Sequence, residues 1–213
     1  IYRHSQNEMT DAIRFKNEYE SLNDIDTNDG KNKYPSIEIA DDNPIVYKSP
    51  KEILDVLNEE EAIVYFGYAS CPWCRNIIEV MLDVAQDKGI KKIYYVDIKD
   101  VRDEYVFAGS IKPKQTKKGS DAYYEILAFF GDLLEDYYIA DEKGNRYDTG
   151  VTRLYAPTVV RVSNKRIEKM HVSTVESHEN PFIKMNDEQR NELYTIYTDL
   201  MQVDDSFCGE DAC

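Results

Sequence analysis

Two cysteines separated by two residues are the side chains whose types and spacing are best suited to chemistry. Cys71 and Cys74 enclose a Pro-Trp dipeptide. Residues 62–66 before them are apolar and aromatic, as in a buried central strand. Pro72 and the apolar residues spaced three and four apart over 77–84 predict a helix that begins directly after Cys71. The motif is therefore predicted to lie where a strand meets a helix N-terminus.

A cysteine at a helix N-terminus is suited to nucleophilic attack. The helix dipole and the free backbone N–H groups stabilise a thiolate, so the pKa of Cys71 should fall below the ordinary value of about 8.5. Cys74 lies one turn further along, close enough to attack a mixed disulfide formed at Cys71. The spacing therefore predicts a pair that cycles between dithiol and disulfide.

Two other interpretations of the pair stay open. It could be half of a zinc site completed by Cys208 and Cys213, although their four intervening residues are a loose spacing for a zinc knuckle. It could also be a structural disulfide. The strand-to-helix context favours redox chemistry. The Cys208 and Cys213 pair fits a shuttle disulfide, a local staple or two idle thiols, and a staple or idle thiols are favoured.

Charge and hydropathy limit the classes of partner. The 213 residues carry a formal net charge of −15, so long-range repulsion opposes binding to nucleic acid or to an anionic membrane surface. No apolar run approaches the ~20 residues that span a bilayer, so no transmembrane segment is predicted in this chain. The chain begins at Ile1 and not at Met. We therefore expect that a preceding segment, such as an export signal or lipid anchor, has been removed.

The rest of the chain predicts one elaborated α/β domain. Residues 62–66 and 92–97 flank the Cys-bearing helix and predict a βαβ unit with parallel strands. The other predicted elements, in chain order, are a helix within residues 1–22, strands at 36–40 and 45–48, a helix from residue 49, a solvated basic loop at 111–120, a helix over 120–134, strands at 136–140 and 145–149, a hairpin over 158–172 and a helix from residue 186.

A second stretch of interest, Ala156-Pro157-Thr158, comes directly before an alternating strand. Proline is tolerated at the first residue of a strand, and a cis Pro157 would mark a tight bend. An ordinary trans proline is the alternative. The three histidines, His4, His171 and His178, are not sequence neighbours of the cysteines. Each is interpreted as a surface or strand residue and not as a metal ligand.

Taken together, the Cys-Pro-Trp-Cys motif at a strand-to-helix junction, the βα elements and the Ala-Pro-Thr stretch before a hairpin and closing helix resemble the thioredoxin-like superfamily. The resemblance covers residues 45–202. It implies a thioredoxin-like α/β fold, in which a central mixed β-sheet is flanked by helices. The remaining parts are an N-terminal helical extension over 1–44, an insertion over 101–150 before the cis-Pro strand, and an acidic Cys-containing tail over 203–213.

The resemblance also implies roles for individual residues. Cys71 would be the nucleophile and Cys74 the resolving cysteine. The implied substrate-binding residues are Pro72 and Trp73 beside the sulfur, cis Pro157 facing it, and Ala156, whose backbone pairs with bound substrate. The substrates would be protein thiols or disulfides, and a redox partner protein would be needed but no cofactor.

A finer pattern consists of the Pro after the first Cys, the Arg after the second, and an insertion that ends in Asp148-Thr149-Gly150 before Arg-Leu-Tyr-Ala-Pro-Thr. It resembles thioredoxin-like proteins of Gram-positive bacteria related to bacteriocin-transport accessory proteins. This implies an exported or cell-surface protein, with a cytoplasmic one as the alternative. Two positions depart from thioredoxins: Pro-Trp replaces Gly-Pro, and Tyr65 stands where they have a buried Asp. The departures leave the proton handling and the direction of electron flow open.

Three hypotheses therefore compete. The leading one is a thiol-disulfide oxidoreductase acting on protein cysteines. The second is an accessory module that binds a peptide or protein through the thioredoxin-like groove and residues 101–150, with cysteines that are not essential. The third is a metal or iron-sulfur carrier that uses Cys71 and Cys74.

Overall fold

The computed structural model describes residues 9–107 and 112–202 and contains five α-helices and nine strands in those ranges. In chain order they are α1 (Asp11–Glu20), β1 (Ile45–Tyr47), α2 (Ile53–Leu57), β2 (Glu61–Gly67), α3 (Pro72–Asp87), β3 (Ile93–Asp97), β4 (Glu104–Val106), β5 (Lys114–Lys117), α4 (Asp121–Phe130), β6 (Glu135–Ala140), β7 (Arg146–Arg153), β8 (Thr158–Ser163), β9 (Arg166–Val172) and α5 (Asp187–Met201).

Five strands form one mixed sheet in the order β1-β3-β2-β8-β9. The first three strands are parallel, and β8 and β9 run antiparallel to them. β2 lies at the centre, where Tyr65 pairs with Tyr95 on one side and Val159 on the other. A central strand is covered on both faces, which explains why residues 62–66 are apolar or aromatic throughout. The predicted central mixed β-sheet flanked by helices is confirmed.

Helices cover both faces of this sheet. One face packs α1, α3 and α5 against Ile63 and Tyr65 of β2. The other face packs α2 and α4 against Val64 and Phe66. Successive side chains of a strand point to opposite faces, so β2 supplies both cores in alternation. The result is a three-layer structure with α3 and its cysteines in the larger core.

The N-terminal helix belongs to the larger core. Phe15 and Tyr19 of α1 are fully buried there. The fully buried Arg75 of α3 fastens this region: its Nε donates to the Pro35 carbonyl and one terminal nitrogen donates to the Tyr19 carbonyl, both at 2.8 Å. The other terminal nitrogen donates to the Asn23 side-chain oxygen at 2.7 Å. Residues 1–8 of the predicted first helix lie outside the described residues.

Residues 101–150 add two small antiparallel hairpins and α4 to the central sheet. β4 pairs with β5, and β6 pairs with β7. The prediction of a solvated loop over 111–120 is therefore wrong for residues 114–117. Pairing with β4 satisfies the backbone there while the side chains of Lys114, Gln115 and Thr116 stay exposed. The predicted domain boundaries themselves stay a prediction.

Two further local predictions are wrong. Residues 36–40 do not form a strand, because side chains bind their backbone: Asn23 accepts from the Ile37 N–H and Glu20 accepts from the Ile39 N–H. α2 begins at Ile53 although Ser49 and Glu52 exchange the predicted capping hydrogen bonds. Within residues 9–107 and 112–202, no helix is long and apolar enough to cross a membrane.

Candidate active site

Cys71 is placed by the junction between β2 and α3. It is the N-cap residue of α3, with extended backbone angles, and its Sγ accepts a hydrogen bond from the Cys74 backbone N–H at 3.2 Å. Pro72 follows as the first helical residue, where a missing N–H costs nothing. The sulfur therefore occupies the position that a capping oxygen usually takes, close to the positive end of the helix dipole.

The two sulfurs of the motif have different environments. Cys71 is 3% exposed and Cys74 is fully buried, and both are free thiols. Burial acts to raise the pKa of Cys71, but hydrogen bonds from Cys74 and the charge of Arg102 outweigh it, so this pKa is lowered. Burial raises the pKa of Cys74, and its hydrogen bond to Cys71 raises it further. The pair thus combines one sulfur suited to attack with one that keeps its proton.

The Ala156–Pro157 stretch lies directly against the first cysteine. The thiol of Cys71 donates to the Ala156 carbonyl, with 3.6 Å between sulfur and oxygen. The Ala156–Pro157 peptide bond is cis. Pro157 is buried and Ala156 is half-buried. The structure therefore brings together residues that are 85 positions apart in the sequence.

Trp73 is the half-buried residue of the motif and lies against a histidine. Its ring meets that of His178 edge to face, with 5.4 Å between centroids. His178 is buried, and its Nε2 donates to the Ile183 carbonyl at 2.7 Å while Nδ1 meets the Thr174 hydroxyl at 2.9 Å. Interpreting His178 as a surface or strand residue is therefore wrong, since it lies in a loop and supports Trp73. His171 does lie in β9, and His4 is outside the described residues.

Arg102 is a site residue that the sequence did not identify. It is 7% exposed, and among the described residues it donates two long hydrogen bonds, to the Leu154 carbonyl at 3.3 Å and the Tyr68 hydroxyl at 3.4 Å. Its Nε has no hydrogen-bond partner among the described residues. A buried cation with spare donors can stabilise a neighbouring thiolate. Only the tertiary fold brings residue 102 to Cys71, so no local pattern signals it.

Metal binding and the tail cysteines bear on the other interpretations of the motif. Within the described ranges, no three His, Cys, Asp or Glu side chains lie together as a metal site would require. Cys208 and Cys213, which the zinc interpretation needs, lie outside the described residues. Their role stays a prediction.

Comparisons with known proteins add weak structural matches. No protein-family model matches the chain, and no curated protein matches it. Among solved structures, it is similar to the oxidized state of thioredoxin O2 from Arabidopsis thaliana, with 18% identity, a TM-score of 0.35, and coverage of 61% of this chain and 83% of that one. It is also similar to a Plasmodium falciparum thioredoxin, with 16% identity, a TM-score of 0.34, and coverage of 71% and 95%.

The topology of the sheet assigns the fold. If the inserted strands β4 to β7 are set aside, the order of the central sheet is first, third, second, fourth, fifth, with the last two strands antiparallel. The Cys-x-x-Cys motif begins the helix after the second of these strands, and the cis Ala156–Pro157 bond precedes the fourth. The chain therefore has a thioredoxin-like fold.

Proposed function

We propose that this chain is a thiol-disulfide oxidoreductase that acts on protein cysteines. The difference between its two sulfurs carries the proposal. Cys71 caps a helix, and its pKa is lowered by hydrogen bonds from Cys74 and by the charge of Arg102, whereas Cys74 is fully buried with a raised pKa. A purely structural disulfide needs no such difference, because it requires neither an attacking nor a resolving sulfur.

The reaction has two exchange steps. The thiolate of Cys71 attacks one sulfur of a substrate disulfide, the substrate S–S bond breaks, and the departing sulfur takes a proton. The first step leaves a mixed disulfide between Cys71 and the second substrate sulfur. Cys74 then attacks the Cys71 sulfur, the Cys71–substrate S–S bond breaks, the proton of Cys74 passes to the departing substrate sulfur, and a Cys71–Cys74 disulfide forms. The substrate gains two electrons and the pair loses two. The reverse sequence oxidises a substrate dithiol, and the reduction potential of the pair sets the direction.

The substrate would bind where the half-buried residues of the motif, Pro72 and Trp73, come near Ala156 and Pro157. The Ala156 carbonyl lies 3.6 Å from the Cys71 sulfur. A peptide lying there would place its sulfur beside Cys71 and its backbone beside residue 156. A redox partner protein would then restore the pair.

The sequence pattern of this chain leads us to propose further that the protein is exported or surface-anchored and related to bacteriocin-transport accessory proteins.

A redox titration tests this function. The protein is equilibrated in glutathione buffers with Cys208 and Cys213 both changed to Ser, and the Cys71–Cys74 disulfide is quantified. We expect reversible titration, with a potential near about −270 mV for a reductant or nearer about −120 mV for an oxidant. Cys71→Ser serves as the control that cannot form the disulfide. A pair that does not titrate would reject the enzyme function.

A binding module without redox chemistry is the second candidate, and one observation favours it. Residues 101–150 present Val106, Leu133 and Tyr138 as exposed large apolar side chains. Exposed apolar side chains can contribute to peptide binding without any sulfur chemistry. If Cys71→Ser leaves the cellular role intact, this candidate replaces the oxidoreductase.

A further inference from the structure

The Ala156–Pro157 stretch is held at its C-terminal end by the central sheet. The Pro157 carbonyl accepts from the N–H of Ser173, the residue directly after β9, at 2.9 Å. Thr158 begins β8, and its hydroxyl donates to the Tyr155 carbonyl at 2.6 Å. The end that follows the proline is therefore fixed by residues of the common fold.

The N-terminal end of the same stretch is held by the insertion. Leu154 is buried, and its N–H donates to the Tyr123 hydroxyl of α4 at 3.2 Å. The Leu154 carbonyl accepts from Arg102 at 3.3 Å. Tyr123 is itself fully buried, in the core that α2 and α4 form against the sheet. Both backbone polar groups of Leu154 are therefore bonded to side chains of residues 101–150.

Tyr155 makes a further contact with the insertion. Its hydroxyl donates to the Asp136 carbonyl at 3.3 Å and accepts from the Tyr138 N–H at 3.4 Å. These two residues border the point at which the register of β6 and β7 shifts. The Tyr155 ring also meets that of Tyr137 edge to face, with 6.4 Å between centroids. The residue directly before Ala156 is thus bonded to β6.

These contacts matter because residues 154–157 lie in neither a helix nor a strand. Their conformation depends on individual hydrogen bonds and not on a strand ladder. If a segment adopts its binding conformation only part of the time, the apparent dissociation constant of a ligand rises in inverse proportion to that fraction. The Ala156 carbonyl lies 3.6 Å from the Cys71 sulfur, so a displaced stretch would alter the space beside the reacting atom.

We infer that Tyr123 and Tyr155 are positioning residues for substrate binding: through their hydroxyls the insertion holds the Ala156–Pro157 stretch in the conformation that receives a substrate peptide. The inference rests on the proposed oxidoreductase function and adds a role for the insertion. Both hydroxyls bond to backbone groups of the loop or of β6. Their effect should therefore appear in the recognition of the peptide and not in the reactivity of Cys71.

Two activated disulfides with the same leaving group test this role. In the first, thionitrobenzoate is joined to the cysteine of an alanine-based peptide, and in the second it is joined to free cysteine. The Cys71 thiolate attacks the cysteine sulfur of either probe, the S–S bond of the probe breaks, and the released thionitrobenzoate is followed by stopped-flow absorbance. All proteins are reduced beforehand and carry Ser at positions 208 and 213.

Tyr155→Phe is the main variant, because both bonds of its hydroxyl are at exposed positions and the ring is kept. We expect the second-order rate constant for the peptide probe to fall roughly two- to tenfold, the loss expected for one hydrogen bond. The constant for the free-cysteine probe should stay unchanged. Tyr123→Phe should act in the same way, since it removes the acceptor of the Leu154 N–H, and it decides the case if Tyr155→Phe does not fold by circular dichroism.

Tyr147→Phe is the matched control. Tyr147 lies in β7 of the same hairpin, and its hydroxyl donates to the Asp141 carboxylate at 3.3 Å. It should leave both constants unchanged. If Tyr155→Phe reacts with the peptide as fast as Tyr147→Phe, or is slowed equally with both probes, the positioning role is rejected while the redox function stands. If the parent protein forms no Cys71–Cys74 disulfide with either probe, both proposals fail.

Discussion

Two arginines of the chain, Arg75 and Arg102, are both buried but differ greatly in their hydrogen bonds. Arg75, on the side of the N-terminal extension, donates to three carbonyls and one amide oxygen at 2.7 to 3.2 Å. Arg102, where the insertion begins, makes two bonds of 3.3 and 3.4 Å and leaves Nε without a partner among the described residues. The guanidinium of Arg75 thus uses its donors in structural hydrogen bonds. The guanidinium of Arg102 keeps a free donor, and its positive charge can stabilise a thiolate at Cys71.

The same difference separates the two additions to the fold. The extension contributes fully buried aromatic side chains and is fastened through Arg75. The insertion has its own hairpins, and β6 and β7 alternate only between half-buried and exposed residues. The extension is part of the core and should affect stability. The hairpins of the insertion lie outside the core and should affect recognition and the electrostatics at their base, whereas α4 of the insertion packs into the second core.

The largest effect should follow removal of Arg75. Arg75→Met removes four hydrogen bonds. The Tyr19 carbonyl and the Asn23 oxygen keep the N–H groups of Leu22 and Ile37, but the Pro35 and Ala69 carbonyls lose their donor, at about 1–3 kcal/mol for each unsatisfied buried group. We expect the free energy of unfolding, measured in urea, to fall by about 4 kcal/mol or more. Arg146→Met is the control, since Arg146 is exposed and lies over the Tyr138 ring. It should change stability by about 1 kcal/mol at most.

Phe15 gives the next largest effect. Phe15→Ala removes a fully buried ring that packs on Tyr19 at 4.2 Å and Tyr95 at 5.1 Å between centroids. The expected loss is about 3–5 kcal/mol in the same urea titration. Tyr105→Ala in the insertion, where the ring is half-buried, should cost about 1 kcal/mol. Equal losses for the two variants would contradict the distinction between the core extension and the outer hairpins of the insertion.

Arg102 should affect chemistry more than stability. Its charge helps lower the pKa of Cys71, so Arg102→Met should raise that pKa and leave less thiolate at any pH below it. We expect alkylation of Cys71 by iodoacetamide near pH 6 to slow roughly two- to tenfold, with the whole rate profile displaced to higher pH. The variants again carry Ser at 208 and 213.

Arg102→Lys is the conservative counterpart, because it keeps the positive charge. Its alkylation profile should lie close to that of the parent. A Lys variant as slow as the Met variant would assign the effect to packing against Tyr68 and not to charge.

The smallest effect concerns the substrate. Trp73→Ala should raise the KM for a protein disulfide about tenfold, since a half-buried aromatic beside a reacting sulfur is a typical anchor. Tyr138→Ala, on the insertion, should raise it about twofold. Neither substitution should change the rate of reaction with dithiodipyridine, because this molecule is too small to contact both side chains. A larger effect at Tyr138 than at Trp73 would move the main contact to the insertion.

Local patterns predicted the parts of the site that local structure determines. The strand, Cys71 at the helix N-terminus and Pro72 in the first turn all follow from residues adjacent in sequence. The same applies to α5, whose capping box of Asn186 and Gln189 is present. Roles and boundaries assigned by resemblance stay predictions.

Long-range contacts explain what the sequence did not reveal. Residues 37 and 39 have the alternation of a strand, but side chains of Asn23 and Glu20 take their backbone N–H groups. His178 reaches Trp73 across 105 residues, and Arg102 reaches the Leu154 carbonyl across 52. Contacts between residues so far apart in sequence form only in the completed fold. The hydrophobic periodicity and the secondary-structure propensity of a short segment do not reveal them.

The bond network of Arg75 has a consequence for dissecting this protein. Arg75 directly follows Cys74, and its partners lie in α1, in residues 23–35 and at Ala69 in the turn before Cys71. A fragment limited to residues 45–202 would lose three of those four acceptors. It would also lose Phe15 and Tyr19, which pack in the same core as the two cysteines. Transplanting that segment into a chimera, or cutting the chain between 20 and 35 with a protease, would therefore loosen the turn that holds the nucleophile.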